Sequence, residues 1–213
     1  MEETTETISY SRQHPSPRYH NLIDQYREMQ ADGRFTGIGC FRFRKQLRLL
    51  VRETGSRTLL DYGAGRGRHL TPTINPQALF AKLGIFAESW AEALGVERVT
   101  PYDPANPDYA TLPLGTFDGV SLIDVAEHID EDDLPWVLDE VFAYANKFVF
   151  LTVATIPAKK TLPNGENCHI TLRSPDWWMK LIDGIAKHYP KVRYQVEFEN
   201  GDDEISGKEP IAV

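Results

Sequence analysis

Thr58-Leu59-Leu60-Asp61-Tyr62-Gly63-Ala64-Gly65-Arg66-Gly67 joins five strand-forming residues to a loop in which every second position is glycine. A buried strand that runs straight into such a loop opens a doubly wound α/β sheet, whose strand ends leave backbone N–H groups for a ligand. Glycine suits that turn because a Cβ would hold the ligand away from the main chain. The spacing then narrows the ligand. A dinucleotide fingerprint wants its third glycine three residues after the second, and Arg68 stands there. The phosphate loop that ends in Gly-Lys-Ser/Thr is absent.

Downstream of this block the pattern alternates between helices and strands. The apolar spacing predicts a helix from about Pro76 to Leu94, stopped by Gly95, and a short strand at Val99 to Asp103. Phe117 to Val125 and Phe148 to Val153 read as buried parallel strands. Between them Asp130 is expected to cap a helix reaching Tyr144. Ser174-Pro175-Asp176 offers a cap, a first-turn proline and a favourable acid for a helix through Ala186. Lys191 to Phe198 and Ile205 to Val213 form a final pair of strands about the turn Gly201-Asp202-Asp203. The expected fold is therefore α/β in three layers, mostly parallel, with a C-terminal antiparallel hairpin.

Upstream, residues 1–17 are polar and read as a flexible N-terminal tail or a strap. Residues 18–54 form a helical extension, with helices at about Tyr19 to Gln30 and Phe41 to Glu53, and 55–213 form the main domain. The second helix carries Arg42, Lys45, Arg48 and Arg52 on one side, which is either a solvated face or a surface for an anionic substrate.

The 213 residues carry 23 basic and 31 acidic side chains, a formal net charge of −8, which disfavours a nonspecific nucleic-acid binder. With 41% hydrophobic residues the chain can build a core, and no apolar run nears the roughly 20 residues of a membrane span. Met1 to Thr7 is acidic where a secretory signal would be basic and then apolar, so a cytoplasmic protein is expected. Cys40 and Cys168 are too far apart and too few for a disulfide framework or a thiolate zinc site.

The block Leu59 to Gly67 resembles the first motif of the class I S-adenosylmethionine-dependent methyltransferases. Phe117-Asp118-Gly119-Val120-Ser121-Leu122-Ile123-Asp124-Val125-Ala126-Glu127-His128-Ile129 is similar to the strand and turn that follow in their small-molecule members. A narrower likeness, to bacterial methyltransferases with an N-A-H-x-T-x-x-P-x-W-W segment, rests on Asn167 to Thr171 and Ser174 to Trp178. The resemblance implies a Rossmann-like sheet and S-adenosyl-L-methionine as cofactor, with Asp61, Gly63, Gly65 and Gly67 around its methionine part. It also implies Asp103 as acceptor for the ribose hydroxyls, an Asx turn before Pro104 being the other reading of that residue. Asp108 and Leu112 are then expected near the adenine, and Asp124 near the cofactor amino group or a substrate hydroxyl.

Two departures from the family pattern are legible. The stretch from Gly67 to Asp103 is longer than the roughly 20 residues usual for such a unit, and Arg68 to Asn75 reads as an inserted loop. Too few residues separate Asp103 from Leu112 for the family's third strand, which would leave the strand bearing Pro101 at a sheet edge. For the acceptor, Asn167, His169 and Thr171 alternate and are expected to face the pocket, with Trp177 as a wall. His169 is the candidate base, or else a histidine that fixes its loop; His128 is read as packing at the strand-to-helix junction. The sequence thus points to metal-free methyl transfer onto an O or N atom of a small molecule or glycan precursor. The alternative is a catalytically silent cofactor-binding module serving as a partner subunit.

Overall fold

The computed structural model describes residues 9–33, 39–70, 87–200 and 206–208. Five parallel strands form the sheet: β1 (Thr58–Tyr62), β2 (Arg98–Tyr102), β3 (Phe117–Leu122), β4 (Ala145–Ala154) and β5 (Arg193–Glu199). A short β6 (Ser206–Lys208) lies antiparallel beside β5, giving the order β2-β1-β3-β4-β5-β6. The turn expected at Gly201-Asp202-Asp203 and the stretch 209–213 lie outside the described residues.

Alternate side chains leave the sheet on opposite faces, as the pleat requires. Leu60, Val149, Leu151 and Val153 join one core with Trp178, Ile182, Leu138 and Phe142, from helices α4 (Leu134–Tyr144) and α5 (Pro175–Ala186). Leu59, Phe148 and Phe150 join the other with Phe43, Leu47, Leu50 and Trp90, from the 3-10 turn Gly39–Phe43 and helices α2 (Arg44–Thr54) and α3 (Trp90–Leu94). Helices on both faces make the sheet Rossmann-like. Its order reverses between β1 and β3, so a crevice opens at their carboxyl ends.

Residues 103–116 are all described and none is in a strand, so β2 is the sheet's edge among the described residues. Pro101, paired in register with Asp61, costs nothing on its outer side because no neighbour there needs its missing N–H. Of the helix expected over Pro76 to Leu94, residues 87–94 are described; the helix there spans only Trp90–Leu94, because Ser89 caps it, and residues 71–86, including part of the expected inserted loop, lie outside the described residues. Asp130 does not cap α4 as expected. It opens a turn that accepts from Asp133 N–H and Leu134 N–H, and the helix begins at Leu134 with a proline in its first turn.

The helical extension belongs to the body of the fold. Helix α1 (Pro17–Ala31) starts at Ser16, whose hydroxyl accepts from Tyr19 N–H and donates to Asp133 Oδ2 at 2.5 Å, with Ser16 N–H on Asp133 Oδ1 at 3.0 Å. Residues 9–16, the described part of the expected tail, are strapped down at Arg12. Its guanidinium forks onto Glu140 and reaches the Tyr62 and Tyr102 hydroxyls at 3.0 and 3.1 Å. Burial works against this charge, but Glu140 and the two tyrosines outweigh it and raise the Arg12 pKa.

Breaking one member of a largely buried ion pair leaves the other uncompensated. Arg12→Ala is expected to lower the unfolding free energy by about 2 kcal/mol, read from the urea midpoint at unchanged slope. A midpoint equal to wild type would mean that residues 9–16 are an idle tail.

Candidate functional site

The glycine loop is shaped by the end of β2. Tyr102 carbonyl accepts from both Gly63 N–H (2.7 Å) and Ala64 N–H (3.0 Å), and Asp103 Oδ2 accepts from Gly65 N–H at 2.8 Å. All three glycines have positive φ, but they meet different surroundings. A Cβ on Gly63 would lie 2.3 Å from Val125 Cγ2, and one on Gly67 would lie 2.5 Å from the Tyr109 ring. A Cβ on Gly65 would meet nothing within 4 Å. Gly63 and Gly67 therefore serve the chain's own packing, while Gly65 leaves an open cradle.

That cradle faces a cavity of about 730 Å³ at the crevice between β1 and β3, within the usual size of a small-molecule site. Asp61, Gly63, Gly65, Asp103, Asp124 and His169 line it, as do Tyr19, Tyr26 and Gln30 of α1 and Arg42 of the 3-10 turn. The other sequence candidates fall elsewhere. Gly67 packs on Tyr109, and Asp108 is exposed with its N–H on Asn106 Oδ1. Leu112 packs against the larger core, and Trp177 crosses Trp178 edge to face with Arg173 over its ring.

The expected polar row is not a row. Asn167 clamps its loop, accepting from Ala158 and His169 N–H and donating to Ala158 carbonyl, and Thr171 is buried with its hydroxyl on Ile129 carbonyl. Only His169 reaches the cavity, because the segment around it is coil rather than strand and side chains do not alternate across it.

Two carboxylates at the glycine end are already engaged. Asp61 accepts from Ser121 hydroxyl at 2.9 Å and forms an ion pair with His69 Nε2 at 2.9 Å, both side chains being buried. Burial alone would deprotonate His69, but the Cys40 thiol and Asp61 reverse this and raise its pKa well above the ordinary value. Asp103 accepts from Gly65 N–H, Ala105 N–H (2.8 Å) and Gln30 Nε2 (3.2 Å). The Asx turn considered for it thus coexists with a place in the cavity wall. Burial raises its pKa against the lowering effect of those donors. A carboxylate offers about four lone-pair positions, and Asn106 N–H also favours its charged form, so a ligand hydroxyl would exchange with one of these protein donors.

The opposite end is built on the exit from β3. Asp124 has φ 55°, a left-handed conformation rare outside glycine, and its N–H donates to Thr152 hydroxyl at 2.9 Å. Arg42 bridges the mouth, with two bonds of 2.8 Å to Glu199 and one of 3.3 Å to Asp124 Oδ2. Beyond Asp124, the 3-10 turn Ala126–His128 carries Glu127 and His128. Glu127 is fully buried, and burial together with the Asp124 charge raises its pKa to about 8. Burial lowers His128 to about 4, so its ring is neutral. His128 Nδ1 sits 2.8 Å from Cys168 carbonyl, and His169 Nδ1 sits 2.5 Å from Ile156 carbonyl. A carbonyl only accepts, so in both rings Nδ1 carries a proton, and the neutral His128 ring keeps its lone pair on Nε2.

Sequence reading missed His69, Gln30 and the depth of Glu127, and had Arg42 only as one member of a basic helix face. His69 alone left a local signal, as a histidine two residues after the last loop glycine. The rest are placed by tertiary packing.

A family model described as a methyltransferase domain matches residues 24–200, from the middle of α1 to the end of β5. No curated protein and no solved structure matches the chain. No helix among the described residues is long and apolar enough to cross a membrane.

The unequal surroundings of the loop glycines give a stability test. Gly63→Ala adds a clash to the left-handed strain and is expected to cost more than about 2 kcal/mol, whereas Gly65→Ala carries only the strain of about 1 kcal/mol. Equal urea midpoints for the two variants would contradict the open cradle at Gly65.

Proposed function

The chain belongs to this family of methyltransferase domains, enzymes that transfer a methyl group from S-adenosylmethionine, and we propose that it methylates a small-molecule acceptor in the cavity between β1 and β3. The observation that carries this reading is the cradle at Gly65. A Cβ there would meet nothing within 4 Å, so the backbone leaves open space toward the cavity beside the buried carboxylate of Asp103. When bound, the cofactor supplies a methyl group made electrophilic by a sulfonium.

The chain's residues would divide the work by position. Gly63 to Gly65 would take the amino-acid part of the cofactor, and Asp103 would accept from the ribose hydroxyls. Asp61 would act through His69, keeping the floor beneath the loop in place rather than touching the ligand. Asp124, held in a strained conformation at the exit from β3, would orient the acceptor or the cofactor's amino group. His169 would present Nε2 to the acceptor, its ring direction set by the Ile156 bond. Tyr19 and Tyr26 would close the cavity from the side of α1 and exclude water, which strengthens every polar contact within. Alignment of donor and acceptor in such a closed site supplies much of the rate of an in-line displacement. The size of the cavity and the net charge of −8 favour a small acceptor over a nucleic-acid polymer.

Calorimetry with S-adenosylmethionine tests the reading. Gly65→Val is expected to abolish binding while the circular dichroism of the fold is retained. Asp103→Ala is expected to weaken binding by about ten- to a hundredfold, or roughly 1.5 to 3 kcal/mol. Wild-type affinity in both variants would remove the cofactor from this cavity.

A further inference from the structure

Among the described residues one group of three side chains, Glu127, His128 and His169, brings a carboxylate oxygen and two imidazole nitrogens within 4.8 Å of one another. We propose that these three residues form a binding site for a divalent first-row transition cation, of the manganese-to-zinc class, at the acceptor end of the cavity. Three features of the site carry this.

The first is Glu127. Its Oε1 accepts from Ala154 N–H at 2.9 Å, but Oε2 is buried with no hydrogen-bond partner among the described residues. Native proteins rarely leave such an atom unanswered, and it points to a missing electrophile. The second is the orientation of the rings. Both histidines give Nδ1–H to a main-chain carbonyl, Cys168 for one and Ile156 for the other. This is the usual support of a metal-binding histidine, since it fixes the tautomer and aims the Nε2 lone pair at the ion. The third is access. His128 and His169 both line the cavity, so a cation held by them and Glu127 would have positions open toward a ligand.

Two nitrogens and one carboxylate form a donor set that favours transition cations over magnesium or calcium, which prefer oxygen alone. Donors about 2.1 Å from a cation stand roughly 3 to 3.5 Å apart, so the three groups would draw together by up to about 1.5 Å on binding. His169, on a coil segment, is the one placed to move.

The assignment rests on the methyltransferase reading for its purpose and narrows the acceptor to a hydroxyl compound. A cation beside an acceptor hydroxyl lowers its pKa, so the proton can leave to water at neutral pH. The oxygen lone pair then forms the new C–O bond as the S–CH3 bond breaks. The pair from that bond remains on sulfur, and the products are a methyl ether, a thioether and one proton. His169 serves here as a ligand in place of the proton acceptor expected of it, and the metal-free expectation gives way.

The test is direct metal binding. Protein stripped with EDTA is titrated with Mn2+, Co2+ and Zn2+ by calorimetry, with the visible absorption of Co2+ as a second signal. One equivalent is expected to bind. His169→Ala and Glu127→Gln should each weaken it by about a hundredfold or more, beyond the 10- to 100-fold typical of losing only a supporting residue. His188→Ala, on an exposed histidine elsewhere, should leave it unchanged. His169→Ala keeps the test decisive should the buried Glu127 variant fail to fold. Absence of an equivalent in wild type, or equal affinity in His169→Ala, overturns the site. S-adenosylmethionine affinity, measured in parallel without metal, separates the two claims. Cofactor binding without metal binding refutes this site alone, and metal binding without cofactor binding sustains the site and refutes the methyltransferase reading of the cavity.

Discussion

The Tyr102 carbonyl at the end of β2 accepts from two successive N–H groups of the glycine loop, and the position of that loop decides the shape of the cavity. At the reversal of strand order, chain from β1 must turn sharply away while chain from β3 turns the other way. The two exits come so close that Gly63 has no room for a Cβ against Val125. A loop forced through that gap must still satisfy its backbone donors, and β2 does so with one carbonyl and the carboxylate of Asp103. The edge position of β2 follows from the same economy of chain. With no strand beyond it among the described residues, residues 103–109 fold back on themselves, Asp103 N–H bonding Tyr109 carbonyl, and the Tyr109 ring covers Gly67.

A sheet that ends at β2 among the described residues needs another wall beside the cavity, and α1 supplies it. The helix buries only Leu22 and Met29, too little to hold itself in place by apolar burial alone. It is tied instead at both ends and in the middle: Ser16 to Asp133, Gln30 to Asp103, and the Tyr26 hydroxyl to Cys168 carbonyl at 2.7 Å. Each of those partners belongs to a loop at the carboxyl edge of the sheet. Fixing α1 therefore also fixes the loops around the cavity, and the family model accordingly begins within this helix.

The strands and the glycine loop were legible because their signals are local: continuous β-prone runs, then glycines that bend the chain at once. The edge position of β2 could be read from a count of residues too small for another strand. What failed depended on distant partners. Asp130 looks like a helix cap, but whether it caps depends on Asp133, whose carboxylate is held by Ser16 and by the Trp136 indole at 2.8 Å. Asn167, His169 and Thr171 alternate in sequence, yet alternation orders side chains only in extended backbone, and Asn167 bends that loop by bonding Ala158 nine residues earlier. Glu127 and His128 were visible as residues but not as neighbours of His169, since the loop carrying His169 is brought to them by the Tyr26 and Cys168 contacts.

The two ends of the cavity differ in how completely their polar groups are satisfied, and the difference bears on whether the domain performs chemistry. At the glycine end Asp61, His69 and Asp103 all have partners within the protein, so this end is stable while it awaits a ligand. At the exit from β3 the accounts do not balance. Asp124 holds a left-handed backbone that costs a non-glycine residue about 1 kcal/mol or more, and three residues later Glu127 buries an oxygen without a donor at a further cost of about 1 to 3 kcal/mol. A module that only held the cofactor could use Asp124 for its amino group but would have no need of the buried Glu127 oxygen, which lies away from the glycine cradle. Strain and an unanswered carboxyl concentrated on one turn, beside two histidines facing the cavity, make sense where a reacting group is to be bound. The silent-module alternative accounts for the glycine end of the cavity and leaves the β3 end without a physical reason.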